Sequence, residues 1–198
     1  MKTILFFVWA FFAKLVYRLF CATLRIRVVN PHYGLLFKKS QSVVYACWHS
    51  KTFVLLPHIA GWSVVTLTLL DWKNFFFDKL CRLFGCRTVP VTDEAGATRR
   101  LLNFLKQGSS VILAVDGPKG PRGILRPGAI FLAEKVNAPI VAFRVEMERS
   151  IRFKNRWDHY EVPYPFSRVT ITLNEPLAAV RDEREGVRAR LIESLGSY

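Results

Sequence analysis

No acidic residue precedes Asp71, whereas Lys2, Lys14, Arg18, Arg25, Arg27, Lys38, Lys39 and Lys51 all do. So one-sided a first third suits a polyanion, either nucleic acid or an anionic membrane surface. Cysteine is scarce and unpatterned. Cys21 and Cys47 stand alone, and Cys81 and Cys86 have no second Cys or His pair at zinc spacing. A zinc motif and a disulfide framework are thereby excluded, which leaves reduced, packed thiols in a cytosolic domain. There is no internal repeat and no low-complexity tract. What the chain does have is apolar content, 51% of 198 residues, together with a net charge of +14. That is enough to exclude disorder and to build one domain with an N-terminal appendage.

Residues 3–24, TILFFVWAFFAKLVYRLFCATL, contain no helix breaker and predict a helix. Positions 3–13 are uncharged, and Lys14 and Arg18 follow one helical turn apart. A spanning helix needs about 20 apolar residues, a length reached here only if Lys14 and Arg18 snorkel. The other readings are a helix lying in the membrane interface and a buried helix of the core. No small-x-small cleavage site follows the run, and Leu19-Phe20 ahead of Cys21 does not suit a lipidated cysteine. If the helix spans, the cations at its far end place the main domain in the cytoplasm.

From residue 26 apolar runs alternate with helical stretches. Strands are predicted at 43–48, 64–70, 88–91, 111–115, 139–145 and 169–173, and helices at 51–58, 74–84, 97–106, 129–136 and 181–195. Gly85 and Gly108 stand where C-terminal caps belong. Alternation of this kind predicts an α/β fold with a mainly parallel or mixed central sheet flanked by helices. Residues 149–168 have no period, are rich in aromatics and Arg, and read as a surface excursion or a lid over the sheet edge.

Two apolar runs end abruptly in chemistry. VVYAC leads into Trp48-His49-Ser50, and VILAV leads into Asp116-Gly117-Pro118-Lys119-Gly120-Pro121-Arg122. Ligands of open α/β sheets sit beyond the carboxyl ends of the strands, so both segments are expected at one edge. His49 there is either a general base acting on a hydroxyl or a hydrogen-bonded structural residue. His32, His58 and His159 lack flanking motifs as suggestive. In the second segment glycines permit close approach and prolines stiffen the loop, while Lys119, Arg122 and Arg126 suit a phosphate. A solvated Pro/Gly turn explains the prolines but not a carboxylate ending so apolar a strand.

With WHS at 48–50, DGPKGPR at 116–122, RPG at 126–128, NAPIVAF at 137–143 and RWDHYEVPYPFSR at 156–168, the chain resembles the glycerophospholipid acyltransferase superfamily. Within it, the resemblance is to an uncharacterised bacterial subgroup. It covers roughly residues 40–177. It implies a glycerolipid-acyltransferase-like domain over 26–198 preceded by a membrane-associating helix over 1–25. It also implies transfer of an acyl chain from acyl-CoA or acyl-ACP to a lysophospholipid or related hydroxyl. No metal and no bound cofactor are implied. Carried across, His49 is the general base, Asp116 and Gly117 with Arg122 form the phosphate-binding third motif, and Pro139 marks the fourth. Ser50, Lys119 and Arg126 join the substrate-binding set. The location implied is the cytoplasmic face of a bacterial inner membrane, either peripheral or through a single N-terminal anchor.

Two departures stand out. The Asp expected five residues after His49 is Val54. Another carboxylate must then orient the imidazole: Asp71, favoured because strands 43–48 and 64–70 are consecutive, or Asp116 or Asp93. A backbone carbonyl is the remaining possibility. The second motif is also altered, reading VTDEAG at 91–96, with Arg99 and Arg100 a turn further on to meet an anionic head group. Val54 keeps open a non-catalytic lipid-binding module on the same fold. A specific nucleic-acid binder lacks any reading motif, and the most basic stretch is also the most apolar.

Overall fold

The computed structural model describes residues 2–39, 42–62, 64–69 and 72–198. Seven strands form one sheet in the order β1-β9-β6-β2-β5-β3-β4: β1 (Arg25–Val29), β2 (Val44–Cys47), β3 (Val65–Leu69), β4 (Arg87–Val91), β5 (Val111–Ala114), β6 (Ile140–Met147) and β9 (Arg168–Leu173). The five strands from β6 to β4 are parallel; β9 pairs antiparallel with β6 and carries β1 parallel to itself. The sheet is therefore mixed and mostly parallel, as the alternating pattern predicts. Helices α1 (Lys2–Ala22), α2 (Trp72–Leu83), α3 (Glu94–Lys106), α4 (Gly128–Val136) and α5 (Arg184–Leu195) flank it.

Strand geometry sends alternate side chains to opposite faces. Val44, Ala46 and Trp48 thus enter a core with Leu101, Ala133 and Leu191 of α3, α4 and α5. Val43, Tyr45 and Cys47 enter a second core with Leu24, Val54, Leu55 and Cys81 on the α1 and α2 side. Gly85 and Gly108 both adopt φ +82°, the left-handed turn expected of helix caps.

The premise that favoured Asp71 does not hold. β5 lies between β2 and β3, so those consecutive strands are not neighbours. Burial explains the order: β2 is buried throughout and β5 nearly so, whereas β3 carries half-exposed positions and sits nearer the edge. Asp71 itself lies outside the described residues.

Three segments depart from the predicted elements. β1, with its alternating RIRVV, was not expected, and its interrupting arginines explain why. The predicted helix at 51–58 is a 3₁₀ segment, His49–Val54, followed by turns. The aperiodic stretch 149–168 contains a hairpin of β7 (Ser150–Arg152) and β8 (Glu161–Pro163), whose tip bends back over the sheet edge.

Helix α1 is neither free nor buried. Tyr17 packs edge-on against Phe53 and Phe84 at 5.2 and 5.7 Å, and Cys21 is buried. Lys14, expected to snorkel, donates instead to the carbonyl of Leu83 and sits over the Phe84 ring. Trp9, Phe11, Phe12, Val16 and Leu19 on the other side are exposed. Among the described residues no helix is long and apolar enough to cross a membrane. One face of α1 is spent docking on its own domain.

Candidate active site

β2 ends at Cys47, and extended backbone at Trp48 delivers His49 into the 3₁₀ segment at the carboxyl edge of the sheet. Asp116 arrives beside it two residues past β5. The two are tied through the main chain: the His49 backbone N–H donates to Asp116 Oδ1 at 2.9 Å. Asp116 therefore fixes the loop that carries His49, but it does not meet the ring as was expected of an orienting carboxylate. Its carboxyl is fully buried, and desolvation raises its pKa against the opposing pull of the His49 backbone N–H. Asp93, the third candidate, is spent elsewhere: it caps α3, accepting from the Gly96 N–H at 2.5 Å.

The ring's partner is Asp158. Its Oδ2 lies 2.7 Å from His49 Nδ1. The Asp158 side chain is fully buried, while His49 keeps 28% of its side-chain exposure. Burial alone would raise the Asp158 pKa. Two bonds from Arg156, at 2.9 and 3.0 Å, and the bond from His49 outweigh it and hold the carboxyl below the ordinary range. An ionised carboxylate only accepts, so Nδ1 of His49 carries the hydrogen, and in the neutral ring Nε2 is then the nitrogen with the lone pair.

Arg156, Trp157 and Tyr160 complete the surround. The Trp157 ring lies 5.2 Å from that of His49, and Gly120 of the Asp116 loop packs against Trp157 so closely that a Cβ there would stand 2.6 Å from Cε3. The hydroxyls of Thr52 and Tyr160 lie 3.3 Å apart, and burial pushes that phenol up to about 12. Lys51, nearly buried, pairs with Glu161 at 2.9 Å, and Arg152 reaches the same carboxylate at 3.1 Å. The hairpin is thus pinned to the His49 segment by a buried ion pair and a hydroxyl contact.

The other predicted site residues divide. Gly117 adopts φ +70° and meets Arg126, whose guanidinium donates to the carbonyl of Gly120, so Arg126 shapes the loop. Arg122 keeps Nε and Nη2 buried with no hydrogen-bond partner among the described residues. Lys119, Arg99 and Arg100 are exposed, the last two on α3. Ser50, expected to face a substrate, is turned inward by the 3₁₀ segment and fully buried.

Beside His49 opens an apolar cavity lined by Cys47, Leu55, Ile59, Leu67, Cys81 and Ile112 among others. Burial raises the pKa of the Cys47 and Cys81 thiols, so both remain neutral lining.

The fold, a mixed and mostly parallel sheet flanked by helices, is similar to that of a solved acyltransferase. The crystal structure of the 1-acyl-sn-glycerophosphate (LPA) acyltransferase PlsC from Thermotoga maritima superposes with a TM-score of 0.58, over 96% of this chain and 82% of that one, at 16% identity. In sequence, the chain is 29% identical over 153 residues to the uncharacterized protein RP090 of Rickettsia prowazekii (strain Madrid E), covering 74% of this chain and 69% of that protein. No protein-family model matches.

Sequence reasoning missed Asp158, Arg156 and Tyr160 as site residues. They lie inside RWDHYEVPYPFSR, part of the run that reads as a surface excursion or a lid over the sheet edge. The signal present was an Asp two residues from an Arg in an otherwise aromatic stretch.

Proposed function

We propose that the protein is a membrane-associated O-acyltransferase, moving an acyl chain from a thioester on coenzyme A or acyl carrier protein to a hydroxyl of a lysophospholipid or related lipid. The observation that carries this reading is the 2.7 Å contact of His49 with Asp158 beside an apolar cavity. The acceptor hydroxyl would give its proton to His49 Nε2 as its oxygen attacks the thioester carbonyl. Asp158, held anionic, steadies the imidazolium. Collapse of the tetrahedral intermediate breaks the carbon–sulfur bond, and Nε2 returns the proton to the departing thiolate. General-base help of this kind contributes about 10²–10⁴ in rate.

The cavity suits the acyl chain, since its walls are apolar and its thiols neutral. Arg122 suits the acceptor's phosphate. Arg126 is committed to a carbonyl and Lys119 is a solvated point charge, whereas Arg122 offers unused donors in fork geometry. The exposed apolar side of α1, with Arg18 beside it, fits a helix lying in an anionic interface. Both thioester carriers are cytoplasmic, which supports the cytoplasmic face of a bacterial inner membrane. The alternative of a non-catalytic lipid-binding module rested on Val54, and Asp158 removes most of that ground.

The test supplies labelled acyl-CoA and acyl-ACP to the purified protein with a panel of lysophospholipids, alongside His49→Ala. Acyl transfer that disappears in the variant is expected. No transfer from either carrier to any acceptor, or transfer unaffected by the substitution, overturns the proposal.

A further inference from the structure

We propose that Tyr198 is a positioning residue for the anion-binding guanidinium of Arg122; the functional consequence rests on the acyltransferase reading above. Tyr198 follows α5 and lies far in sequence from both site loops, yet it touches both. Its ring meets that of Trp48, the residue before His49, at 5.5 Å and 70°. The Arg122 guanidinium lies over its face, 5.0 Å from the centroid. Tyr198 also packs onto the backbone of Gly123, where a Cβ would collide with the ring.

The segment is held firmly enough to act as a brace. Gly196 turns the chain at φ +70°, and its carbonyl accepts from Trp48 Nε1 at 3.0 Å. Arg144 packs so closely on Gly196 that a Cβ would collide with the guanidinium. Trp48 is itself buried in the core, so the support is anchored to the strand that delivers His49.

Arg122 needs such a support. Among the described residues it has no ion-pair partner, and its Nε and Nη2 have no hydrogen-bond partner. An unheld arginine side chain keeps large rotamer freedom, which a bound phosphate must then remove. An aromatic face fixes the guanidinium plane without consuming a single N–H donor. Tyr198 thus leaves the fork free for an anion while fixing where it points. It also couples the guanidinium to Trp48, and so to the distance between bound head group and His49.

The test uses Tyr198→Ala and Tyr198→Phe in the full chain, with melting curves to check the fold. Tyr198→Ala is expected to raise the KM for a phosphate-bearing lysolipid roughly 3- to 30-fold, the range of a single cation–π contact. The kcat and the thioester KM should stay near wild type, and Tyr198→Phe should restore the acceptor KM because it keeps the ring face. In an Arg122→Ala background, Tyr198→Ala should add nothing. A second measurement is independent of turnover: phenylglyoxal modification of Arg122, mapped by mass spectrometry, should be several-fold faster in Tyr198→Ala than in wild type or Tyr198→Phe. Equal labelling rates overturn the proposal, as do additive effects with Arg122→Ala or an unchanged acceptor KM. If the wild-type protein transfers no acyl group, the acyltransferase reading falls, and the labelling rates alone decide whether Tyr198 holds Arg122.

Discussion

Nδ1 of His49 and Oδ2 of Asp158 lie 2.7 Å apart although 109 residues separate them in the chain. The carboxylate that fixes the tautomer comes from the tip of a hairpin, whereas the residue five after His49 is Val54, fully buried. Removing either partner should therefore disable the same step. Asp158→Asn is expected to lower kcat on the order of 10²-fold or more with little change in acceptor KM. Combined with His49→Ala it should cost no more than His49→Ala alone. Steady-state kinetics of the two single variants and the double variant check this; additive losses would separate the two residues.

The same contact predicts a stability that depends on pH. The Asp158 carboxyl is lowered in the folded protein, opposed by its burial but dominated by Arg156 and His49. Its contribution is fully present above the unfolded value, about 3.9, and is lost as pH falls through the lower folded value. Asp116 is shifted the other way by desolvation, so its contribution is present at low pH and fades as pH rises through its folded value. Denaturant unfolding of Asp158→Asn and Asp116→Asn across pH 3–7 should give stability differences from wild type with opposite pH slopes. Parallel slopes would contradict the assignment.

The hairpin's attachment is a third target. Lys51 and Glu161 are 10% and 3% exposed, and together with Arg152 they bind the hairpin to the His49 segment. Glu161→Ala leaves a nearly buried ammonium unpaired, at a cost of about 3–5 kcal/mol. Activity should fall with it, because the hairpin carries Asp158. Hydrogen exchange of residues 150–163 should rise in this variant; unchanged protection there would show that the ion pair is not what pins the hairpin.

The exposed side of α1 makes a fourth. Phe12 and Leu19 are 58% and 60% exposed, on the helix face opposite Tyr17 and Cys21. Phe12→Glu with Leu19→Glu should weaken binding to phosphatidylglycerol vesicles roughly tenfold or more, since burying each apolar side chain is worth about 1.5–3 kcal/mol. Melting temperature should hardly change. Equal sedimentation of variant and wild type with vesicles would remove α1 from the contact.

Much of the architecture was legible because local rules enforce it. Apolar runs bounded by turns marked β2, β5, β6 and β9, and Gly85 and Gly108 marked helix ends through their left-handed backbone. His49 and Asp116 were found because each ends a buried strand, where polar groups emerge at the carboxyl edge. The sequence did not show strand order, since β5 enters between β2 and β3 from some sixty residues further on and no local signal marks that slot.

By itself, then, the sequence determined an α/β domain, a leading helix and one His on a strand end. Periodicity and turn chemistry act within a few residues of the chain and are readable there. The tertiary structure decided which acid serves that His. A carboxylate becomes a partner only by being folded to within hydrogen-bond distance and held charged, and that depends on how β7 and β8 pair, how Lys51 meets Glu161 and how Arg156 grips Asp158. It likewise decided that Tyr198 stands between Trp48 and Arg122, a convergence of three distant segments made by packing.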